Sequence, residues 1–414
     1  MTDTSLQEIH IRPGMELPKA LKDIPLTARK ALASLSSIRA GSLRATLPDG
    51  RLIVIEANKA GPAGQLHLYN WRLPRRAFMD GTVGVAESWF DGDWDSPDIV
   101  TFLELFLANT ETLNEVASTG SRLSHMVQKV RHWLNSNSRR GARRNISAHY
   151  DLGNDFYRLW LDPTMTYSSA LWQAGTETLE EAQKAKYEAL LDAMNVSAGE
   201  HILEIGCGWG GFAESAARRG CHVTGLTISQ QQHDFAEQRL ADAGFADRSE
   251  IIFRDYRDET GLYDHVASIE MFEAVGERWW STYFETLRRT LKPGGTAGLQ
   301  IITIHESAFE DYRRYPDFIQ RYVFPGGMLP TPTHLRALAS EVGLSIEYEN
   351  PFPQDYARTL ALWRERFEEA WPKVRALGFD ERFRKVWLFY LYYCEAGFRQ
   401  EHIDVRQIIL RKPA

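Results

Sequence analysis

The stretch SIEMFEAVGE, Ser268 to Glu277, places Glu270, Glu273 and Glu277 at spacings of three and four. On a helix such spacings stack side chains on one face. Carboxylates gathered in this way can take up a proton or steady a positive charge. The plain alternative is a helix start, where the helix dipole favours acids. That account suffices for Glu277.

A second group lies upstream. Gly206, Gly208, Gly210 and Gly211 fall between a strand-like run and a helix-like run. Gly206, Gly208 and Gly211 satisfy the dinucleotide fingerprint, which is a weak signal alone. A dinucleotide site should end its second strand with an acid that holds the ribose, about 20 residues on. Here that strand ends GLTIS, with Thr227 and Ser229 and no acid. Glu204 precedes the glycines, giving E-x-G-x-G-x-G, the nucleoside-binding loop of class I S-adenosylmethionine (SAM) methyltransferases. Glycines there let the backbone approach the ligand. The bland alternative is glycine kept for strand–helix packing. In FRDYRD, Asp255 could accept from an adenine amino group and Tyr256 could pack on the ring. A surface turn explains those two residues nearly as well.

The elements that must position these residues follow an alternation. LEEAQKAKYEALLDAM reads as a helix and HILEIGCG as a buried strand. GGFAESAARRG is a helix stopped at Gly220. CHVTGLTIS is a strand, QQQHDFAEQRLADAG a helix, and SEIIFRDY and YDHVASIEM are strands. RRTLKPGG is a helix with a turn, and TAGLQIITI a strand. The pattern predicts an α/β fold, with a parallel sheet covered on both faces. Residues 1 to about 115 read as a smaller α/β mixture. There RAGSLRATLPDGRLIVIEA is a hairpin turning at PDG, and DIVTFLELFLANTETLNEVA has helical periodicity.

Between these parts the composition shifts. Val116 to Tyr150 contains no Asp or Glu but holds Arg122, Lys129, Arg131, Arg139, Arg140, Arg143 and Arg144. The expected organisation is an N-terminal domain over 1–120, a basic linker over 121–147 and a catalytic domain over 148–414. The linker is either a solvated connection or a strip that docks on anionic lipid headgroups. Each basic residue near such a surface contributes about 1 kcal/mol, and Trp133 suits an interface. No RNA-recognition motif accompanies it.

The bulk numbers agree with an ordinary globular protein. The 414 residues predict two or three domains, with 43% hydrophobic and 25% charged residues. A net charge of −7 argues against a nucleic-acid partner. Cys207, Cys221 and Cys394 lack metal-ligand spacing and suit a reducing compartment. No apolar run reaches the roughly 18 residues of a membrane-spanning helix. The N-terminal MTDTSLQEIHIRPG lacks a secretion-signal pattern. The expectation is a cytoplasmic protein, peripherally associated with the inner face of the membrane.

Several strings then coincide: HYDLGNDFYRLWLDPTMTYSSALW, LEIGCGWGG, VTGLTIS, DYRD, MFEAVG, FIQRYVFPGGMLP, DYARTL and YYCEAGFR. Their order resembles the cyclopropane-fatty-acyl-phospholipid synthase family over about residues 145 to 410, with a weaker likeness in GTVGVAESWFDGDWD. The family includes the mycolic acid cyclopropane synthases and implies a class I SAM-methyltransferase sheet with helical acyl-site insertions. The resemblance implies SAM-dependent alkylation of a double bond in a lipid chain. By residue matching, SAM would be held by Tyr167, Ser168, Gly206, Gly208, Thr227, Ile228, Gln232, Tyr256 and Ile269. Glu204 and Gly210 join them from the loop pattern.

An isolated alkene is a poor nucleophile, so the site must align it with the sulfonium methyl and exclude water. Methyl transfer leaves a carbocation, which aromatic faces stabilise. The chain holds 12 Trp, 16 Tyr and 20 Phe. FRKVWLFYLYYCEAGF is densely aromatic, although an amphipathic core helix explains it as simply. In the family a bicarbonate ion, held by a Cys, a Glu, a His, a Tyr and backbone groups, removes the proton that closes the ring. The matched positions are Glu273, Tyr356 and the backbone at Ile304. Ser169 stands where the Cys would be, and Ile302 where the His would be. Ser169 can still donate a hydrogen bond and Ile302 cannot. Glu270 stands where relatives tend to have Gly, as a replacement base or as a group that repels the anion. A cyclopropane and a methyl-branched or methylated unsaturated product both stay open. His305 lies three residues from Ile302 and is not assigned the missing role.

Two other readings compete. One is a SAM methyltransferase for another lipid or a small molecule, against which Phe324–Leu329 and Tyr390–Phe398 speak as acyl-site strings. The other is a lipid-binding protein with a dead cofactor loop, against which the intact glycines, Gln232, Glu273 and Tyr356 speak. For the N-terminal domain the expectation is bilayer docking and homodimerisation.

Overall fold

The structure is a computed structural model that describes residues 8–11, 18–110, 112–113 and 152–414. The basic segment 121–147 lies outside the described residues. The described chain divides into two compact units.

The first unit carries a five-stranded sheet in the order β1-β3-β2-β4-β5. Its strands are β1 (Glu8–Ile11), β2 (Ala40–Thr46), β3 (Leu52–Glu56), β4 (Lys59–Leu68) and β5 (Trp94–Asp95). β2 and β3 pair antiparallel, as the hairpin reading expects. Gly50 closes the turn at φ 86°, a conformation that favours glycine. Helices α1 (Leu26–Leu35), α2 (Arg72–Phe90) and α3 (Ile99–Leu107) complete the N-terminal part. Asp98 caps α3 by accepting from the Thr101 N–H.

Two later segments, Tyr315–Tyr322 and Phe379–His402, belong to this first unit, whereas the sequence reading placed them in 148–414. An aromatic seam explains it. Phe389 meets Trp89 at 6.0 Å, Phe90 at 5.9 Å and Phe318 at 4.9 Å between ring centroids. The helix Glu381–Arg399 buries Trp387, Leu388, Phe389, Tyr390 and Leu391. Its aromatic run is therefore an amphipathic core helix, the simpler of its two readings.

The second unit is built on a seven-stranded sheet in the order β11-β12-β10-β9-β6-β7-β8. The strands are β6 (His201–Ile205), β7 (His222–Thr227), β8 (Ser249–Phe253), β9 (Tyr263–Ile269), β10 (Leu291–Ile304), β11 (Ser345–Pro351) and β12 (Ile403–Arg411). β6 to β10 run parallel, and β12 is antiparallel to both neighbours. Around them lie α4 (Asn154–Arg158), α5 (Leu179–Ala193), α6 (Gly211–Arg218), α7 (Gln230–Asp242), α8 (Trp280–Thr290), α9 (Glu306–Arg314), α10 (Pro332–Glu341) and α11 (Pro353–Ala376). Buried runs such as Ile202–Ile205 and Val223–Thr227 are what a sheet covered on both faces requires. α5 starts at a capping box between Thr178 and Glu181. The strand order reverses between β6 and β9, which opens a crevice at their carboxyl ends.

Two local readings are corrected. KPGG is not a free turn but lies within β10, where the pairing with β9 shifts register between Leu291 and Thr296. SIEMFEAVGE does not form one helix. β9 ends at Ile269, Glu270 turns the backbone to φ 48°, and Phe272–Ala274 and Glu277–Trp279 are separate single 3-10 turns. Gly276 at φ 78° interrupts them. The three glutamates therefore share no helical face. Glu277 points to Arg313, 2.9 Å away.

Candidate active site

Each element of the crevice delivers one part of the site. The turn from β6 into α6 carries Gly206, Gly208 and Gly210. Gly206 has φ 82°, and a Cβ there would sit 2.7 Å from the Met271 Cγ. A Cβ on Gly208 would face open space, so the bare backbone borders the crevice at that point. Beneath the turn, Glu204 is buried and accepts from the Ala213 N–H at the start of α6. Burial pushes its carboxyl well above the usual range. At the end of β7, the Thr227 hydroxyl donates to the Gln232 Oε1 at 2.9 Å, which fixes both side chains. Ile228, Tyr256 and Ile269 stand half-buried after β7, β8 and β9. The expected cofactor residues thus converge on the carboxyl ends of four neighbouring strands. Backbone bared by glycine, fixed polar side chains and half-buried apolar ones make a cradle suited to the nucleoside of SAM. The Asp255 carboxylate grips Arg257, at 2.8 Å from Nε and 2.6 Å from Nη2.

Tyr167 and Ser168 enter from the segment before α5. Tyr167 sits among rings, 5.4 Å from Tyr157, 5.6 Å from Trp160 and 5.3 Å from Trp363. Trp363 in turn meets Tyr356 at 6.0 Å. This aromatic wall runs from a candidate cofactor residue to a candidate catalytic one. It is the surface that cation stabilisation asks for.

Glu270 is the most densely held group. Its Oε1 accepts from the Ser169 N–H at 2.8 Å and from Gln300 Nε2 at 2.8 Å. Its Oε2 accepts from the Tyr356 hydroxyl at 2.7 Å. The backbone N–H of Glu270 donates to the Gln300 carbonyl at 2.8 Å. Burial raises its pKa, and the opposing influences are the Lys186 ammonium, Tyr356, Gln300 and the Ser169 N–H. Lys186 is fully buried on α5 and donates to the Ser168 hydroxyl at 2.5 Å. Burial lowers its pKa, and Glu270 is the strongest influence raising it.

Glu273 has fewer partners. Its Oε1 accepts from the Ile302 N–H at 2.5 Å, while its buried Oε2 has no hydrogen-bond partner. Burial, reinforced by the charge of Glu270, pushes its carboxyl up to about 8. Two neighbouring buried carboxyls, both pushed upward by burial, are a signature of acid–base machinery.

Of the candidate catalytic residues, Glu270, Ser169 and Tyr356 share direct hydrogen bonds, and Glu273 joins them through the field of Glu270. The Ser169 hydroxyl itself is turned to the Ala170 carbonyl at 2.9 Å, so its backbone N–H makes the contact. His305 is exposed and bonds Ser307 at 2.9 Å. Lys186 and Gln300 hold this cluster together and are not among the residues singled out from the sequence. Both had a signal. Lys186 interrupts the buried stripe Leu179, Ala182, Leu190 of α5, and Gln300 interrupts the apolar run of β10.

A doubly wound sheet with this loop and cradle defines a SAM-dependent methyltransferase. A family model described as mycolic acid cyclopropane synthetase matches residues 137–408. The chain belongs to that family. It is 40% identical over 355 residues to the tuberculostearic acid methyltransferase UfaA1 of Mycobacterium tuberculosis, covering 81% of this chain and 80% of that protein. It is 33% identical over 366 residues to the cyclopropane-fatty-acyl-phospholipid synthase of Escherichia coli, covering 86% and 90%. Among solved structures it is similar to the cyclopropane synthase MmaA2 from Mycobacterium tuberculosis, with a TM-score of 0.62 and 31% identity, covering 65% of this chain and 98% of that one. It is also similar to mycolic acid cyclopropane synthase CmaA1 complexed with SAH and CTAB, with a TM-score of 0.61 and 30% identity, covering 65% and 98%. The enzyme is a SAM-dependent lipid methyltransferase of the cyclopropane-synthase type. Among the described residues no helix is long and apolar enough to cross a membrane.

Proposed function

We propose that this enzyme transfers the SAM methyl carbon to the double bond of an unsaturated fatty acyl chain carried by a membrane phospholipid. The observation that carries the reading is the pairing of Glu270 and Glu273 at the end of β9, between the glycine turn and the aromatic wall. SAM supplies an electrophilic methyl group on a sulfonium. The chain's own residues then do three things. The glycine turn, Thr227 and Gln232 orient the nucleoside. The rings of Tyr167, Trp363 and Tyr356 face the positive charge that develops on the acyl chain and keep water from it. The paired carboxyl groups of Glu270 and Glu273 border that charge and take the proton that must leave. Loss of that proton gives a cyclopropane or a methylene-branched chain, according to which carbon carries the charge at that moment. The names of the relatives, a tuberculostearic acid methyltransferase and a cyclopropane-fatty-acyl-phospholipid synthase, support both products.

The reading extends to the membrane. The basic segment around Arg139, Arg140, Arg143 and Arg144 would dock the enzyme on anionic headgroups, and the phospholipid is met there rather than in solution.

The test is direct. The protein is incubated with SAM and unsaturated phospholipid vesicles, and the acyl chains are analysed by mass spectrometry and NMR. A gain of one CH2 is expected, with cyclopropyl or methylene proton signals naming the product. No gain on any unsaturated phospholipid would overturn the reading.

A further inference from the structure

We propose that Lys186 is a positioning residue for the cofactor: through the Ser168 hydroxyl it recognises the carboxylate at the amino-acid end of SAM. The inference concerns the cofactor alone and stands whichever lipid is methylated and whichever product forms.

The first observation is how α5 holds Ser168. Gln183 and Lys186 lie three residues apart on one buried face of that helix. Gln183 Nε2 donates to the Ser168 carbonyl at 2.9 Å, and Lys186 Nζ donates to the Ser168 hydroxyl at 2.5 Å. Ser168, Gln183 and Lys186 are all buried. The next residue is tied from the other side, with its N–H on Glu270 Oε1 at 2.8 Å. Helix and turn together fix both the backbone and the side chain of Ser168.

The second is the direction of the hydroxyl. An ammonium has donors and no acceptor, so toward Lys186 the Ser168 oxygen can only accept. Its own proton points elsewhere, and none of the described residues accepts it. Ser168 is therefore a donor polarised by a cation, which suits an anion. A ligand ammonium at the same place would meet the hydroxyl proton and the charge of Lys186.

The third is place. Tyr187, beside Lys186, shares a hydrogen bond with the Thr166 hydroxyl at 2.9 Å, and a Cβ on Gly211 would sit 2.7 Å from the Tyr187 hydroxyl oxygen. The segment Thr166–Ser168 is thereby packed against the end of the glycine turn. The acids that hold Lys186 charged include Glu270, after β9, and Glu204, in β6. The cation thus lies on the β6–β9 side of the crevice, while Thr227, Gln232 and Tyr256 offer the nucleoside cradle on the β7–β8 side. The amino-acid arm of the cofactor leaves the sulfur away from the nucleoside and so reaches toward Ser168.

The fourth is charge. Burying a lysine is costly unless an anion answers it. None of the described carboxylates pairs with Lys186 directly, and its hydrogen bond goes to a neutral hydroxyl. Burial pushes the carboxyls of Glu270 and Glu204 upward, toward their neutral forms. Asp162, and the Tyr187 ring 4.6 Å from the ammonium, complete the groups that face it. A carboxylate arriving at Ser168 supplies the missing countercharge. Burial also lowers the Lys186 ammonium to about 7. The free protein loses that proton as pH rises through this value, and a bound carboxylate keeps it in place. Binding therefore takes up a proton above about pH 7, and affinity falls as pH rises.

The experiment is calorimetry on the full-length protein with two ligands, S-adenosylhomocysteine and its analogue lacking the carboxylate. The wild type should prefer S-adenosylhomocysteine by about 10- to 10²-fold, the worth of a hydrogen bond to a charged group. Lys186→Met should shrink that preference about tenfold, weakening S-adenosylhomocysteine and leaving the analogue within about threefold. A purely structural role would weaken both ligands alike. Ser168→Ala should shrink the preference in the same way, and it decides the matter where Lys186→Met fails to fold. Titrations of the wild type above pH 7, in buffers of different ionisation heat, should register proton uptake with S-adenosylhomocysteine and none with the analogue. Equal wild-type affinity for the two ligands, an equal loss of both in Lys186→Met, or an unchanged preference in Ser168→Ala would each overturn the proposal.

Discussion

Glu273 is expensive to fold around, and Glu273→Gln exposes that cost. The substitution keeps the shape and the contact from the Ile302 N–H while removing the titration. In the native protein the carboxyl holds its proton up to about pH 8, against an ordinary value of 4.5. The unfolded chain releases that proton at the lower value. The native state therefore binds more protons between the two, and stability falls as pH rises from 4.5 through about 8. At about 1.4 kcal/mol per pKa unit the penalty at pH 7 has an upper bound of about 3 kcal/mol. Residual exposure of the side chain screens part of it and leaves about 1–2 kcal/mol. For a unit of this size that is a rise of a few degrees in Tm, at about 2–4 °C per kcal/mol.

The assay is thermal unfolding of wild type and Glu273→Gln from pH 5 to 8.5, beside turnover on unsaturated vesicles. The Tm difference should be small near pH 5, grow with pH and level off above 8. Turnover should fall by about 10²-fold or more, as when a positioned proton donor or acceptor is removed from a site. A stabilised, inactive variant is what a group kept for chemistry yields. A Tm difference that ignores pH would refute the electrostatic reasoning, and a fully active variant would remove Glu273 from the reaction.

Three further outcomes follow from the same geometry. Gly206→Ala drives a Cβ toward Met271 and strains a left-handed backbone by about 1–2 kcal/mol, so SAM affinity by calorimetry should drop about tenfold or more. Tyr356→Phe removes a donor to the Glu270 carboxylate worth about 1.5–3 kcal/mol; the acidic limb of the pH–rate profile should shift upward with little change in SAM affinity. Replacing Arg139, Arg140, Arg143 and Arg144 by Ala should weaken sedimentation with anionic vesicles by up to about 10³-fold, at about 1 kcal/mol per basic residue, and leave neutral vesicles unaffected; unchanged binding to anionic vesicles would end the docking reading.

What the sequence disclosed depended on how locally each feature is encoded. The glycine turn was legible because a strand-to-helix junction that bares its backbone dictates residue type over a few positions. The alternation of β6 to β10 was legible from buried runs and caps. The assignment of Glu381–Arg399 to the first unit was not, because aromatic periodicity says that a helix is buried and not what covers it. The spacing of Glu270, Glu273 and Glu277 misled, because Gly276 and the left-handed turn at Glu270 break the helix that spacing implies.

Glu270 shows why the rest stayed hidden. Its four partners come from positions 169, 186, 300 and 356, which only the closed sheet brings together. Two of them, and Glu270 itself, leave a small local inconsistency in the sequence: a lysine on the buried stripe of α5, a glutamine inside β10, and a glutamate where the chain turns left-handed. Local choices that disagree with their element are rare in a foldable sequence unless something offsets them. Here the inconsistencies offset one another. The lysine needs an anion, the glutamate needs donors, and the glutamine meets both the backbone and the side chain of that glutamate. Buried groups of this kind that answer to each other, read together, locate a site before any motif does, and in this chain they locate the carboxylate that the motif alone would have passed over.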